Sequence, residues 1–144
     1  MEKYDHLALP VRDTVGVIVG TRSPWAKLDV VTPQALVQMP LLVSSRTTHR
    51  TFDLAGWSGS LVTPGRLNVV GTFDLIGNAS LLVEAGNACA LGINHLLELQ
   101  TDALRFLPLK PSLTTGSVVA WKRRRIFSPA CEAFLEQPRA TLGQ

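Results

Sequence analysis

Little in this chain could carry redox, metal or covalent chemistry. Its two cysteines, Cys89 and Cys131, lie far apart with no CxxC pair and in apolar surroundings, so both read as buried free thiols. The three histidines, His6, His49 and His95, have no partner at metal-ligand spacing and no accompanying carboxylate cluster. They read as surface or helix-end residues, not zinc ligands. There is no GxSxG elbow and no phosphate loop. Gly56, Gly59 and Gly65 follow no strand and so make no dinucleotide fingerprint. No catalytic residue, metal or cofactor is implied, and the chain reads as a binding module and not an enzyme. Charge of one sign is scarce as well: 14 basic against 11 acidic residues leave +3. That excess vanishes if the run at residues 122–125 (KRRR) is set aside, so no global field for nucleic acid is present. No apolar run approaches the roughly 20 residues of a membrane span. The start, MEKYDHLALP, lacks the cationic-then-apolar pattern of a secretory signal, and a cytoplasmic protein is the simplest reading.

What is present is an alternation of strand and helix signals. With 46% apolar residues over 144 positions, the chain can build one domain with a core. Residues 15–20 (VGVIVG) form a β-run. Thr32 is a natural N-cap with Pro33 behind it, and Pro40 stops that helix early. Residues 41–44 read as a strand leading into a polar loop, and a helix is expected over 49–57 on Phe52, Leu54 and Trp57. Residues 67–94 are the most informative. A β-rich segment runs to Phe73, and Asp74 is an N-cap candidate. Ala79, Leu82, Val83 and Gly86 then follow at helical spacing, with Gly86 at the left-handed C-cap position. Residues 89–93 are an apolar run fit for a buried parallel strand. A single helical turn is expected at 95–99, and strands at 104–107 and 116–122. Ser128 and Pro129 open a last helix anchored by Phe134 and Leu135, which Pro138 is expected to end, leaving a frayed tail. This order predicts an α/β fold with a mostly parallel sheet, right-handed crossovers and helices on both faces.

Five phrases in order are similar to the C-terminal effector-binding (substrate-binding) domain of LysR-type transcriptional regulators. They are VGVIVGTRSPWAK (15–27), VTPQALVQMPLLVSSR (31–46), LNVVGTFDLIGNASLLVEAGNACALGI (67–93), LRFLPL (104–109) and GSVVAWKRRRIFSPACEAFLE (116–136). Their order and spacing carry the likeness. The resemblance implies a periplasmic-binding-protein-like (type 2) architecture of two lobes joined by two hinge strands. Residues 1–20 would be the end of lobe one and the first hinge strand, with Val17 and Ile18 in it. Residues 21–115 would be the effector-binding lobe two. Residues 116–144 would be the second hinge strand, with Val118 and Val119, and a helix returning to lobe one. A small polar or anionic effector would bind in the interlobe cleft and modulate DNA binding by the full-length homo-oligomer, whose effector domains pair side by side as a dimer. DNA would be contacted only through a domain absent from this chain, with no membrane involved. The chain departs from the family pattern in showing no helix-turn-helix, no linker helix and no first half of lobe one. It therefore reads as a fragment, with Ala130, Phe134 and Leu135 of its last helix in need of burial.

Two loops are candidate effector contacts. Ser44, Ser45, Arg46 and Thr47 follow a strand expected to be parallel, and ligands of open α/β sheets bind beyond the carboxyl ends of strands. Hydroxyls and a guanidinium there suit a carboxylate or another polar molecule. The competing reading is a polar surface loop with an N-cap at Thr47 or Thr48. Ile76, Gly77 and Asn78 sit at the start of the central helix, whose free amides and positive dipole end could hold an anion. Plain capping by Asp74 is the competing reading there. For residues 122–125 a solvated hinge turn is favoured over an anion or DNA patch, because no aromatics interleave the charges. A solute-binding receptor or a dehydratase-like module on the same two-lobe fold is the alternative function, since fold does not fix function. An export signal or a poised acid would mark those, and neither is seen.

Overall fold

The longest element is a strand, β1 (Tyr4–Gly20), on which the rest of the chain is hung. The structure is a computed structural model and describes residues 3–47, 52–95, 102–123 and 126–142. After β1 come α1 (Pro33–Leu36), β2 (Leu41–Ser44), α2 (Leu54–Trp57), β3 (Val69–Phe73), α3 (Ile76–Glu84), β4 (Cys89–Ile93), β5 (Leu104–Pro108), β6 (Thr114–Lys122) and α4 (Pro129–Leu142). They divide into two compact units: Asp13–Thr115, and Met1–Arg12 with Gly116–Gln144.

In the unit Asp13–Thr115 the strand order is β3-β2-β4-β1-β5. The β2–β3 and β2–β4 ladders are parallel, and the β1–β4 and β1–β5 ladders antiparallel. The sheet is therefore mixed and not simply parallel. β2, β3, β4 and β5 run one way and β1 alone runs against them, so a single reversed strand accounts for both antiparallel ladders. Side chains alternate across β1 as a pleated strand requires. Val15, Val17 and Val19 join Leu36 of α1, Met39, Leu41, Leu91 and Leu107 on one face, where Leu54 and Trp57 of α2 also pack. Ile18 joins Leu42, Ala90 and Leu104 on the other, under Ala79 and Val83 of α3. Helices thus cover both faces. Gly20 is required by this packing: a Cβ there would lie 2.6 Å from the Val83 carbonyl oxygen.

Local chemistry explains most boundaries. Thr32 Oγ1 accepts from the Ala35 amide, Pro33 occupies the first position, and α1 is four residues long. Gly86 closes the α3 segment at φ 82°. α2 is shorter than the helix expected over 49–57. It starts at Leu54 because Asp53 caps it, accepting from the Gly56 amide at 2.8 Å; residues 48–51 lie outside the described residues. Of the turn expected at 95–99 only His95 is described, at φ 64°. Leu82, counted above among the apolar helix positions, is exposed, while Ala79 and Val83 are buried.

In the second unit β6 pairs with β1. The Arg123 amide donates to the Lys3 carbonyl at 3.0 Å and its Nε to Asp5 at 2.6 Å. One of the four basic residues at 122–125 is thus engaged by a carboxylate, and Arg124 and Arg125 lie outside the described residues. Ser128 caps α4, its Oγ accepting from the Cys131 amide at 3.3 Å. Pro138 does not end α4, which continues to Leu142. Contacts past the proline hold the continuation: Thr141 Oγ1 donates to the Gln137 carbonyl at 2.9 Å, and the Arg139 guanidinium lies 5.1 Å from the Trp121 ring centroid. Leu135 is buried and Phe134 is 63% exposed. Cys131 is exposed, not buried: it lies one turn before Leu135 on the same face, but no residue of the first turn of α4 is buried.

Candidate functional site

Because β2, β3, β4 and β5 share a direction, their carboxyl ends lie along one edge of the sheet. β1 begins its course through this unit at the same edge, with Val15 opposite Ile93 and Gly16 opposite Pro108. The segment after β5 stays there too, the Val15 amide donating to the Leu113 carbonyl at 2.8 Å. The chain therefore enters this unit at Asp13 and leaves it at Thr115 along the edge where the parallel strands end.

Both candidate loops are on that edge. Ser44 is paired with Phe73, so β2 and β3 end flush. A 3-10 turn, Ser45–Thr47, follows β2. Ser44 and Ser45 are half-buried and Arg46 is exposed. The Ser45 hydroxyl donates to Oδ1 of Asp74, which joins the loop after β2 to the turn after β3 across 29 positions of sequence. Asp74 is thus not the helix cap expected of it. Leu75 occupies the N-cap position of α3 and no side chain caps that helix. With its carboxylate drawn to Ser45, Asp74 leaves the first-turn amides without a side-chain acceptor. Ile76 is half-buried against the Ala79–Val83 cluster. Gly77 and Asn78 are exposed in the first turn, and a Cβ on Gly77 would meet nothing within 4 Å.

Two residues of this edge escaped the sequence reading. Asp74 reads in sequence as a cap, although its place after a parallel strand also marks a cleft residue. Asn94 sits at the end of β4, where its Oδ1 accepts from the Thr14 amide at 2.7 Å and its own amide donates to the Thr14 carbonyl at 2.9 Å. It fixes the point at which β1 enters. Of the expected hinge residues, Val17 and Ile18 are buried in mid-sheet, two and three residues past Val15. Val118 and Val119 lie in β6, and Val118 is 52% exposed. The unit boundary on β1 falls at Arg12–Asp13 and on β6 at Thr115–Gly116.

Among the described residues no group of three or more His, Cys, Asp or Glu could hold a metal ion. No helix among them is long and apolar enough to cross a membrane. Burial pushes the Cys89 thiol up to about 11, which keeps it protonated and unreactive.

A mixed sheet covered by helices on both faces, with polar loops gathered at the carboxyl ends of its strands, is the α/β fold of periplasmic-binding-protein-like domains. The model of the family described as the LysR substrate binding domain matches residues 4–143, and the chain belongs to that family. No curated protein sequence matches it. Among solved structures, the effector binding domain of QuiR in complex with shikimate aligns over 95% of this chain and 64% of its own, at TM-score 0.78 and 16% identity. CbnR, a LysR family transcriptional regulator, aligns over 97% of this chain and 48% of its own, at TM-score 0.76 and 12% identity. HinK, a LysR family transcriptional regulator from Pseudomonas aeruginosa, aligns over 99% of this chain and 49% of its own, at TM-score 0.73 and 15% identity. The chain thus spans about half the length of HinK and CbnR. At these identities the likeness is one of fold.

Proposed function

We propose that this chain is the effector-sensing part of a transcriptional regulator. It binds a small polar metabolite at the carboxyl-end edge of its sheet, and so modulates DNA binding by the full-length homo-oligomer in the cytoplasm. DNA itself is contacted by another domain. The supporting observation is the hydrogen bond between Ser45 and Asp74, which gathers the loops after β2 and β3 into one surface. That surface lies on the edge where the chain enters and leaves the unit. Ser44, Ser45, Arg46 and Thr47 form one side of the contact and Ile76, Gly77 and Asn78 the other. A metabolite acts as a switch only if it binds one conformation better than another. The bending this needs is assigned to the two strands that pass from unit to unit. Val17 and Ile18 anchor the first of them in the sheet, and Val118 and Val119 flex in the second.

The test begins with a metabolite that raises the melting temperature of the full-length regulator. Calorimetry of Ser45→Ala and Asn78→Ala should then show about tenfold weaker binding each, the loss of one hydrogen bond to a polar ligand (about 1.4 kcal/mol). Unchanged affinity in both variants removes the assigned surface.

A further inference from the structure

We infer that the Asn94 side chain sets where β1 stops belonging to the sheet and begins to bend: the strand is held from Thr14 onward and yields just upstream, over residues 11–13. This rests on the reading of β1 and β6 as the bending strands, and adds the residue that fixes one end of the bend.

Burial along β1 changes abruptly at this point. Residues 15–20 are all buried, Asp13 and Thr14 are half-buried, and residues 10–12 are exposed. The β1–β4 ladder pairs Ile18 with Ala90, Gly16 with Gly92 and Val15 with Ile93. In the same register Thr14 falls opposite Asn94, at a position where an antiparallel pair exchanges two backbone hydrogen bonds. One of the two is made as expected, the Asn94 amide donating to the Thr14 carbonyl at 2.9 Å. The other is not made by the Asn94 backbone. The chain turns away at His95, where φ is 64°, and the Thr14 amide donates instead to Asn94 Oδ1, at 2.7 Å. A side-chain carbonyl thus completes the last pair of the ladder.

Val15 faces the opposite neighbour. Its amide donates to the Leu113 carbonyl at 2.8 Å and its carbonyl accepts from the Leu109 amide at 3.1 Å. These bonds form one row, from the end of β4 through Thr14 and Val15 to the segment by which the chain leaves the unit. The unit itself begins one residue before the row, at Asp13. Three of the four bonds join backbone to backbone, so substitutions leave their donors and acceptors in place. The fourth needs a short side chain with an acceptor, which asparagine or aspartate supplies and alanine does not. Upstream of the row, Pro10 has no amide to give to a ladder, and Leu7 is the one buried residue between Tyr4 and Arg12. Segments with few buried apolar contacts open at a lower free energy than core strands, so bending concentrates there and stops at the row.

Backbone amide relaxation dispersion and amide hydrogen exchange of this chain test the assignment. In the wild type, dispersion should appear over residues 11–13 and be absent over residues 14–19. In Asn94→Ala the Thr14 amide should exchange at least tenfold faster, and dispersion should spread to Thr14 and Val15 while Val17 and Leu107 stay as they were. Asn94→Asp, whose carboxylate can accept the same bond, should restore the wild-type behaviour. An unchanged Thr14 amide in Asn94→Ala, or an aspartate variant that behaves like the alanine one, would overturn the role given to Asn94 and leave the two bending strands in place. Equal quickening at Val17 and Leu107 would mean a general loosening of the sheet and would overturn it as well. Dispersion absent from residues 4–13 and 114–122 alike in the wild type would remove the bending strands themselves. If Asn94→Ala loses its dispersed spectrum, the scalar coupling across the hydrogen bond, from the Thr14 amide nitrogen to the Asn94 side-chain carbonyl carbon, is read in the wild type; its absence refutes the assignment.

Discussion

Replacing Gly77 by alanine separates what α3 does for the fold from what its first turn does for a ligand. A Cβ at position 77 would meet nothing within 4 Å, and the residue lies in the second position of a nine-residue helix. Alanine is better than glycine in a helix by about 1 kcal/mol, mainly because glycine loses more backbone freedom on folding. For a chain of this size that corresponds to a rise in melting temperature of about 2–4 °C. The same methyl group would project from the surface assigned to the effector. Where a ligand sits against the first-turn amides, the methyl excludes it, and calorimetry should show at least tenfold weaker binding, about 1.4 kcal/mol. Gly20→Ala is the matched control. Its Cβ would lie 2.6 Å from a backbone oxygen of α3, so it should cost about 1–3 kcal/mol of stability. Thermal denaturation of the two variants and effector calorimetry of Gly77→Ala make the comparison. A more stable Gly77→Ala with unchanged effector affinity would refute the placement of the ligand. A destabilised one would refute the open space over α3.

Two further predictions follow from the cysteines and from Pro138. Cys131 is exposed and should react at once with a thiol reagent in the native protein, whereas Cys89 should react only on unfolding. Since folding raises the Cys89 thiol to about 11, stability should be complete below its unfolded value near 9 and fall as pH rises from there to 11. That loss amounts to about 2 kcal/mol and should be absent in Cys89→Ala when the two are compared by chemical denaturation across that range. Pro138→Ala restores an amide inside α4 and should stabilise that helix by up to about 3 kcal/mol, read as slower amide exchange over residues 134–142; faster exchange would mean the proline is where the chain needs it.

The parts of the fold that could be read from sequence are those fixed within a few residues of chain. β2, β4 and β5 are short apolar runs, the first following Pro40 and the last ending at Pro108, and each was found within a residue. Thr32 and Ser128 announced α1 and α4 because their oxygens cap amides three residues on. What failed depended on distant partners. The first eleven residues of β1 carry no strand pattern, because Tyr4–Arg12 shows no apolar–polar alternation and has Pro10 inside its run at residues 7–11; its only buried residue there is Leu7, and its pairing comes from β6, more than a hundred positions away. Asp74 looked like a cap because caps are local, but the partner it takes is Ser45. The reversed direction of β1 was invisible for the same reason: strand periodicity carries no direction. The candidate loops were named from composition, but only the β2–β3 register brings them side by side.

Amide hydrogen exchange of the full-length regulator, with and without a metabolite that raises its melting temperature, tests the central claim most directly. The account predicts slowed exchange at residues 44–47 and 74–78, strongest at Ile76 and Gly77, whose amides no side chain caps. Protection confined to the opposite edge of the sheet, around Pro24–Lys27 and the start of β5, with none at those two loops, would contradict it.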